Sequence, residues 1–199
     1  ETMPAAACVL GGLLCLITDR PILAGLGFVA GAMMRPDHLL FWGCGGLSLL
    51  MTHLYQQGGS ILSRLRWGIY IRYTAPLTCI YTPYFLWRMN AYGEIFPNTY
   101  YAKSGHLTYW SQGAIYLSSF LLGSGIWFIA FSLVGYGFYR LIKRRILLPS
   151  KQPLDCESKP RFTLLWFCAL SILIFSFYVV KVGGDFMLYR FFVVLIPLY

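Results

Sequence analysis

The feature that most limits what this chain can fold into is a series of long apolar segments separated by short polar ones. We count six complete segments and the beginning of a seventh. A transmembrane helix needs about 20 mainly apolar residues, so the pattern predicts an all-α bundle that crosses a membrane repeatedly. The segments are Met3–Ile17, Pro21–Met34, Leu39–Tyr55, Tyr73–Trp87, Ala114–Tyr139 and Phe162–Val182, then the residues from Phe191 onward.

Composition supports this interpretation. The chain is 58% hydrophobic and only 12% charged, whereas a soluble domain carries about 25% charged residues. Its 15 Tyr, 15 Phe and 6 Trp suit the aromatic belts that lie at membrane–water interfaces. The net charge of +9 does not indicate a nucleic-acid partner, because the basic residues lie between apolar segments, where the positive-inside rule accounts for them.

The distribution of charge predicts an orientation. Alternate connections hold 11 of the 16 basic residues and 3 of the 7 acidic ones, which places these connections in the cytoplasm. They include the polar linker 146–161. The segments Asn90–Gly113 and Gly183–Arg190 then face outward. We therefore expect residues 1–199 to form part of one multi-pass domain of the cytoplasmic (inner) membrane.

The first outward candidate is Arg35-Pro36-Asp37, which opens the third segment. Proline is tolerated in the first turn of a helix and Asp complements the helix dipole, so a purely structural role explains Pro36 and Asp37. A cation is unfavourable at that position. Arg35 therefore requires an anion, and the sequence leaves open whether this is Asp37, another carboxylate or a ligand phosphate.

The second candidate is the loop Tyr92–Lys103, which reads YGEIFPNTYYAK. Aromatic rings beside hydrogen-bonding groups suit a sugar, and a lysine suits a phosphate. The alternative is an interfacial loop with a tyrosine belt. The candidate substrate-binding residues of this loop are Tyr92, Glu94, Asn98, Tyr100 and Lys103.

The third candidate follows the sixth segment. Gly183 and Gly184 permit a tight turn, and Asp185 and Arg190 come directly after it. Ionisable groups at the ends of spans are costly enough to suggest function, although a turn with a local ion pair is the alternative. Three outward carboxylates, Asp37, Glu94 and Asp185, leave a divalent cation open, but their separations are unknown and they do not define a metal site.

Other chemistries lack support in the sequence. The three histidines show no ligand spacing, and the six cysteines form no C-x-x-C pair. No nucleotide-binding loop or serine-hydrolase motif is present.

These candidate stretches, taken together, resemble the GT-C glycosyltransferases related to the terminal β-(1→2) arabinofuranosyltransferase of mycobacteria. The resemblance covers nearly the whole chain. It implies a polytopic enzyme that transfers a sugar from a polyprenyl-phosphate donor to a glycan or lipid acceptor of the cell envelope, on the outer face of the membrane. The stretches are Arg35-Pro36-Asp37, Tyr92–Lys103, Val182–Met187 with Arg190, and the opening Glu1-Thr2.

The resemblance also implies that the acidic catalytic motif is missing from this chain. Enzymes of this type usually carry their acidic catalytic motif in the first external loop, which would lie upstream of Glu1. We therefore expect the chain to be a fragment, and the catalytic residue is unknown. Two other functions stay open: a transporter or flippase of lipid-linked saccharides, and a non-catalytic membrane protein. A transporter would be expected to place polar groups on broken helices near the membrane midplane.

Overall fold

The computed structural model describes residues 2–56, 67–94, 109–124 and 158–183, together with Phe192 and Leu195. Within these ranges the chain is helical, which confirms the all-α prediction. The helices are α1 (Thr2–Ile17), α2 (Pro21–Met34), a 3₁₀ turn (Pro36–His38), α3 (Leu39–Gln56), α4 (Trp67–Pro76), a π-helical turn (Leu77–Tyr81), α5 (Thr82–Tyr92), α6 (Trp110–Ser124) and α7 (Ser158–Val182).

One of the described helices is both long and apolar enough to cross a membrane, over Lys159–Val182. Two shorter helices, α1 and α2, are also apolar. At 1.5 Å per residue they span about 24 Å and about 21 Å, less than the roughly 30 Å of a hydrocarbon core. The predicted number of spans is therefore still a prediction.

Helices α1 and α2 pack closely because small residues line their interface. A Cβ atom added to Gly27 would lie 2.8 Å from the backbone of Gly12, and one added to Gly12 would lie 3.2 Å from the carbonyl oxygen of Ala24. Gly27 and Gly31 are four residues apart and therefore share one face of α2. Close approach through small residues is the usual way in which apolar helices associate without a hydrophobic driving force.

Helix α7 runs antiparallel to α3. Near its start, the Thr163 hydroxyl lies 3.0 Å from the hydroxyl of Thr52 at the end of α3. Farther along, the Phe175 ring stacks on Phe41, near the start of α3, with centroids 5.1 Å apart. The bundle therefore has two ends, and α7 connects them.

Helical residues continue without a break from Trp67 to Tyr92, although Pro76 lies in their interior. Proline lacks an amide hydrogen and clashes with the preceding turn, and a π-helical turn directly follows it at Leu77–Tyr81. The Thr82 hydroxyl donates to the carbonyl oxygen of Leu77 at 3.1 Å. A helix with this local widening tolerates the proline without ending.

Candidate functional site

A compact polar cluster lies between α2 and α3. The Arg35 guanidinium donates through Nη2 to Oδ2 of Asp37 at 2.8 Å and through Nε to Oδ1 at 3.2 Å. Its Nη1 atom donates to the Thr2 hydroxyl at 3.2 Å. The His38 Nδ1 atom lies 3.2 Å from Oδ1 of Asp37. One carboxylate therefore joins two basic side chains, and the cluster ties the start of α1 to the α2–α3 connection.

The local sequence explains this geometry. Proline disfavours helical backbone angles for the residue before it, and Arg35 has extended angles of φ −142° and ψ 114°. Helix α2 therefore ends there, with the Arg35 amide donating to the carbonyl oxygen of Gly31 at 2.9 Å. Pro36 then begins a single 3₁₀ turn, closed by a bond from the His38 amide to the carbonyl oxygen of Arg35 at 2.9 Å. The turn brings the Asp37 carboxylate back onto the Arg35 side chain.

Asp37 is ionised in this setting. Its side chain is only 7% exposed, and burial on its own would raise the pKa. Hydrogen bonds from His38 and Arg35, together with the positive charge of Arg35, outweigh burial and hold the pKa of Asp37 below its ordinary value. Of the anions left open for Arg35 by the sequence, the structure shows Asp37 as its partner.

His38 is not among the candidates that the sequence predicts. Its side chain is 1% exposed, and the ring makes edge contacts with Phe41 and Phe175, with centroids 5.4 Å and 6.3 Å away. Its Nε2 atom is buried and has no hydrogen-bond partner among the described residues. The contact with Phe175 depends on the packing of α7 against α3, which a lone histidine in a sequence does not reveal.

The other predicted site residues within the described ranges approach the same end of the bundle. Tyr81 packs in one cluster with Val29 and Ala32, near the end of α2. From there α5 continues for about 16 Å to Tyr92, which is 65% exposed. Glu94 follows and is exposed. Within the described residues, no hydrogen bond or ion pair joins Tyr92 or Glu94 to the Arg35–Asp37 pair.

The end of α7 also lies at this end of the bundle. Phe175 contacts His38, and Gly183 lies about 12 Å farther along the helix axis. Gly183 adopts φ 89°, so the chain turns at the point where the sequence predicts a tight turn. The Tyr109 amide donates to the carbonyl oxygen of Lys181 at 3.4 Å, which places the start of α6 here as well.

Five predicted site residues lie outside the described part of the chain, and their roles are still predictions: Asn98, Tyr100, Lys103, Asp185 and Arg190. Among the described residues, no group of three or more His, Cys, Asp or Glu side chains could hold a metal ion. The candidate carboxylates Asp37 and Glu94 make no shared site there.

Comparison with curated proteins identifies two relatives. The chain is 28% identical over 190 residues to the terminal β-(1→2)-arabinofuranosyltransferase of Mycobacterium tuberculosis, covering 91% of this chain and 28% of that protein. It is 27% identical over 188 residues to the protein of the same name from Corynebacterium glutamicum, covering 92% of this chain and 25% of that protein. The resemblance to arabinofuranosyltransferases is confirmed.

The chain spans only about a quarter of the length of these arabinofuranosyltransferases. No family model matches it, and no solved structure matches it. The similarity therefore concerns one part of these proteins.

Proposed function

We propose that this chain is part of a multi-pass membrane glycosyltransferase. In this proposal the enzyme transfers a sugar from a polyprenyl-phosphate donor to a glycan or lipid acceptor of the cell envelope, on the outer face of the cytoplasmic membrane. The observation that carries the proposal is the similarity to two arabinofuranosyltransferases over nine-tenths of the chain. The polar cluster at one end of the bundle supports it.

The reaction requires two kinds of groups. An acceptor hydroxyl attacks the anomeric carbon of the donor, the bond from that carbon to the phosphate oxygen breaks, and the hydroxyl proton passes to a base. Positive or hydrogen-bonding groups stabilise the departing polyprenyl phosphate. The base is unknown. The positive groups that we propose are Lys103 and Arg190, in the two outward loops.

We propose for Arg35 a role other than direct phosphate binding. Its guanidinium already binds both oxygens of Asp37 and the Thr2 hydroxyl, so a donor phosphate would have to compete with a buried carboxylate. We propose that Arg35 and Asp37 position the ends of α1, α2 and α3. Glu94 and Gly183 lie toward the same end, and we propose that the segments that follow them in the sequence, 95–108 and 184–190, contact the substrates.

The membrane orientation that we propose follows from the charges at the two ends. The end with the Arg35 cluster holds Arg35, Arg88 and Lys181 among the described basic residues, together with the acidic Asp37 and Glu94. The opposite end holds Arg20, Arg72, Lys159 and Arg161 with one acidic residue, Asp19. Four basic residues to one acidic residue is the bias expected of a cytoplasmic face.

The test is a transfer assay on the full-length protein, in detergent or in lipid nanodiscs. Synthetic polyprenyl-phosphate sugars, arabinofuranose first, are offered with a glycan acceptor, and product is detected by mass spectrometry. Lys103→Ala or Arg190→Ala should raise the activation free energy of transfer by roughly 1.5–3 kcal/mol, the scale of a charge-assisted hydrogen bond. Addition of a chelator tests whether a divalent cation is needed.

Asp185→Asn is the most informative single variant, because it keeps the shape of the side chain and removes its charge. A functional carboxylate predicts a steep loss of transfer with an unchanged melting temperature. The proposal fails if no donor gives product. If the protein moves lipid-linked saccharides across vesicles without transfer, the flippase alternative replaces it.

A further inference from the structure

A small cleft lies at the end of the bundle opposite the Arg35 cluster. It has a volume of about 210 Å³ and is lined by Arg20, Pro21, Ile22, Leu23 and Arg72. Arg20 directly precedes α2, and Arg72 belongs to α4, so the cleft lies between two helices. Neither arginine belongs to the candidate substrate site.

Among the described residues, two arginines and no carboxylate line the cleft. Both arginines are exposed. The neighbouring acid, Asp19, is engaged elsewhere, because both of its oxygens accept from the Lys159 ammonium at 3.1 Å. In the described part of the chain, no other acidic residue lies at this end. The cleft therefore attracts an anion, and the positive end of the α2 dipole adds to the attraction.

The same cleft is also apolar. Ile22 and Leu23 line it and are each 47% exposed. Such an apolar surface does not stabilise a free phosphate, because the charge of a phosphate is best solvated by water and polar groups. A ligand with a phosphate next to hydrocarbon satisfies both features, since arginine binds phosphate oxygens through its planar fork and exposed aliphatic side chains bind acyl chains.

The position of the cleft is consistent with such a ligand. Arg72 and Trp67 lie on the same helix, and Trp67 is 59% exposed. Exposed tryptophans are enriched at the level of lipid headgroups. In the membrane arrangement of the proposed function, this end of the bundle meets the inner leaflet.

We propose that the cleft binds an anionic phospholipid, with Arg20 and Arg72 on the headgroup phosphate and with Ile22 and Leu23 against the first carbons of an acyl chain. The proposal rests on the membrane setting of the proposed function and is independent of transferase activity. The ligand is distinct from the sugar donor, which we place at the opposite end.

Native mass spectrometry of the delipidated full-length protein in detergent tests this proposal. Phosphatidylglycerol is titrated against phosphatidylcholine, and the apparent dissociation constants are compared between the unmodified protein and Arg20→Gln/Arg72→Gln. We expect the double variant to bind phosphatidylglycerol about tenfold more weakly, because two solvent-exposed ion pairs with the phosphate are lost and each exposed pair is weak. Arg161→Gln is the matched control, because Arg161 is an exposed basic residue at the same end and does not line the cleft. It should change binding less than about twofold.

Further measurements distinguish lipid binding at this pair of arginines from nonspecific lipid binding and from a simple anion site. Equal binding of phosphatidylcholine, or an equal loss in Arg161→Gln, would overturn the proposal, because binding would then not depend on this pair of arginines. Displacement of phosphatidylglycerol by millimolar inorganic phosphate would also overturn it in favour of a simple anion site. Leu23→Ser should weaken binding of the lipid and leave any phosphate binding unchanged. A transfer assay on the same preparations reports separately on the proposed function.

Discussion

Arg35 and Asp37 form an ion pair through two hydrogen bonds, of 2.8 and 3.2 Å, at a site where both side chains are nearly excluded from solvent. A second ion pair, Lys159 with Asp19, lies at the opposite end of the bundle with the carboxylate 60% exposed. The two pairs have similar chemistry and very different burial. Their comparison separates a structural role of Arg35 and Asp37 from the generic effect of removing a charge.

Asp37→Asn should destabilise the protein much more than Asp19→Asn. The first leaves the Arg35 guanidinium without its buried counter-charge, which costs about 3 kcal/mol or more. The second removes an exposed pair worth less than about 1 kcal/mol. Asn also tolerates the left-handed backbone of Asp19, where φ is 61°. Thermal unfolding in detergent, followed by circular dichroism, measures both. Equal losses would show that the Arg35 pair does not hold this end together.

The pH dependence of the Asp37 contribution has a defined sign. Because the folded-state pKa of Asp37 lies below the ordinary value of 3.8, its contribution is fully present above about pH 4 and is lost as the pH falls through the folded-state pKa. The difference in melting temperature between the unmodified protein and Asp37→Asn should therefore be constant from about pH 6 to 5 and shrink below about pH 4. Other carboxylates titrate in both proteins and cancel in the difference. A difference that grows in acid would contradict the assignment.

The sequence predicts local features of this fold well and its tertiary contacts poorly. The bounds of α2 agree with the predicted segment, because Pro21 and the Arg35-Pro36 pair mark its start and end in the sequence. The predicted fourth apolar segment begins at Tyr73, whereas the helix that contains it begins at Trp67. Arg72 interrupts the apolar run, but a long arginine side chain can belong to a helix and still reach water. His38 was missed, since its environment depends on α7, far away in the chain.

Glycine substitutions should distinguish the effect of α1–α2 packing on stability from the effect of helix propensity. A Cβ atom at Gly27 would meet the backbone of Gly12 at 2.8 Å, so Gly27→Ala must push the helices apart and should cost about 1–3 kcal/mol. Gly11→Ala is the matched control in α1, because nothing lies within 4 Å of its added Cβ. It should be neutral or stabilising by up to about 1 kcal/mol. Melting temperatures in detergent distinguish the two, and similar effects would argue against close packing at Gly27.

The hydroxyl contact between Thr52 and Thr163 should contribute measurably to the packing of α3 on α7. The Thr52 hydroxyl also donates to the carbonyl oxygen of Ser48 at 2.8 Å, so Thr163→Val does not leave it unsatisfied. We expect a coupling energy of about 0.6 kcal/mol in a double-mutant cycle with Thr52→Val. Thr78→Val is the control, because that exposed hydroxyl bonds only carbonyl oxygens of its own helix, at 3.0 and 3.4 Å, and contacts the adjacent Cys79 sulfur. Zero coupling would indicate that the two helices are held by apolar contacts.

The orientation of the bundle can be tested with two exposed residues from its opposite ends. In a variant without its six cysteines, Glu94→Cys should react with a membrane-impermeant maleimide in intact cells, because Glu94 follows α5 at the end that we place outside. Arg161→Cys lies beside Lys159 near the start of α7, and should react only after permeabilisation. Cysteines at Asn98 and Lys151 provide a second pair with the same expected sides. The reverse labelling pattern would show that the more basic end faces outward. It would place the Arg35 cluster in the cytoplasm, where an externally delivered acceptor could not reach it. Labelling of both positions in intact cells would mean that the chain between them crosses the membrane an even number of times, which contradicts the predicted arrangement of spans.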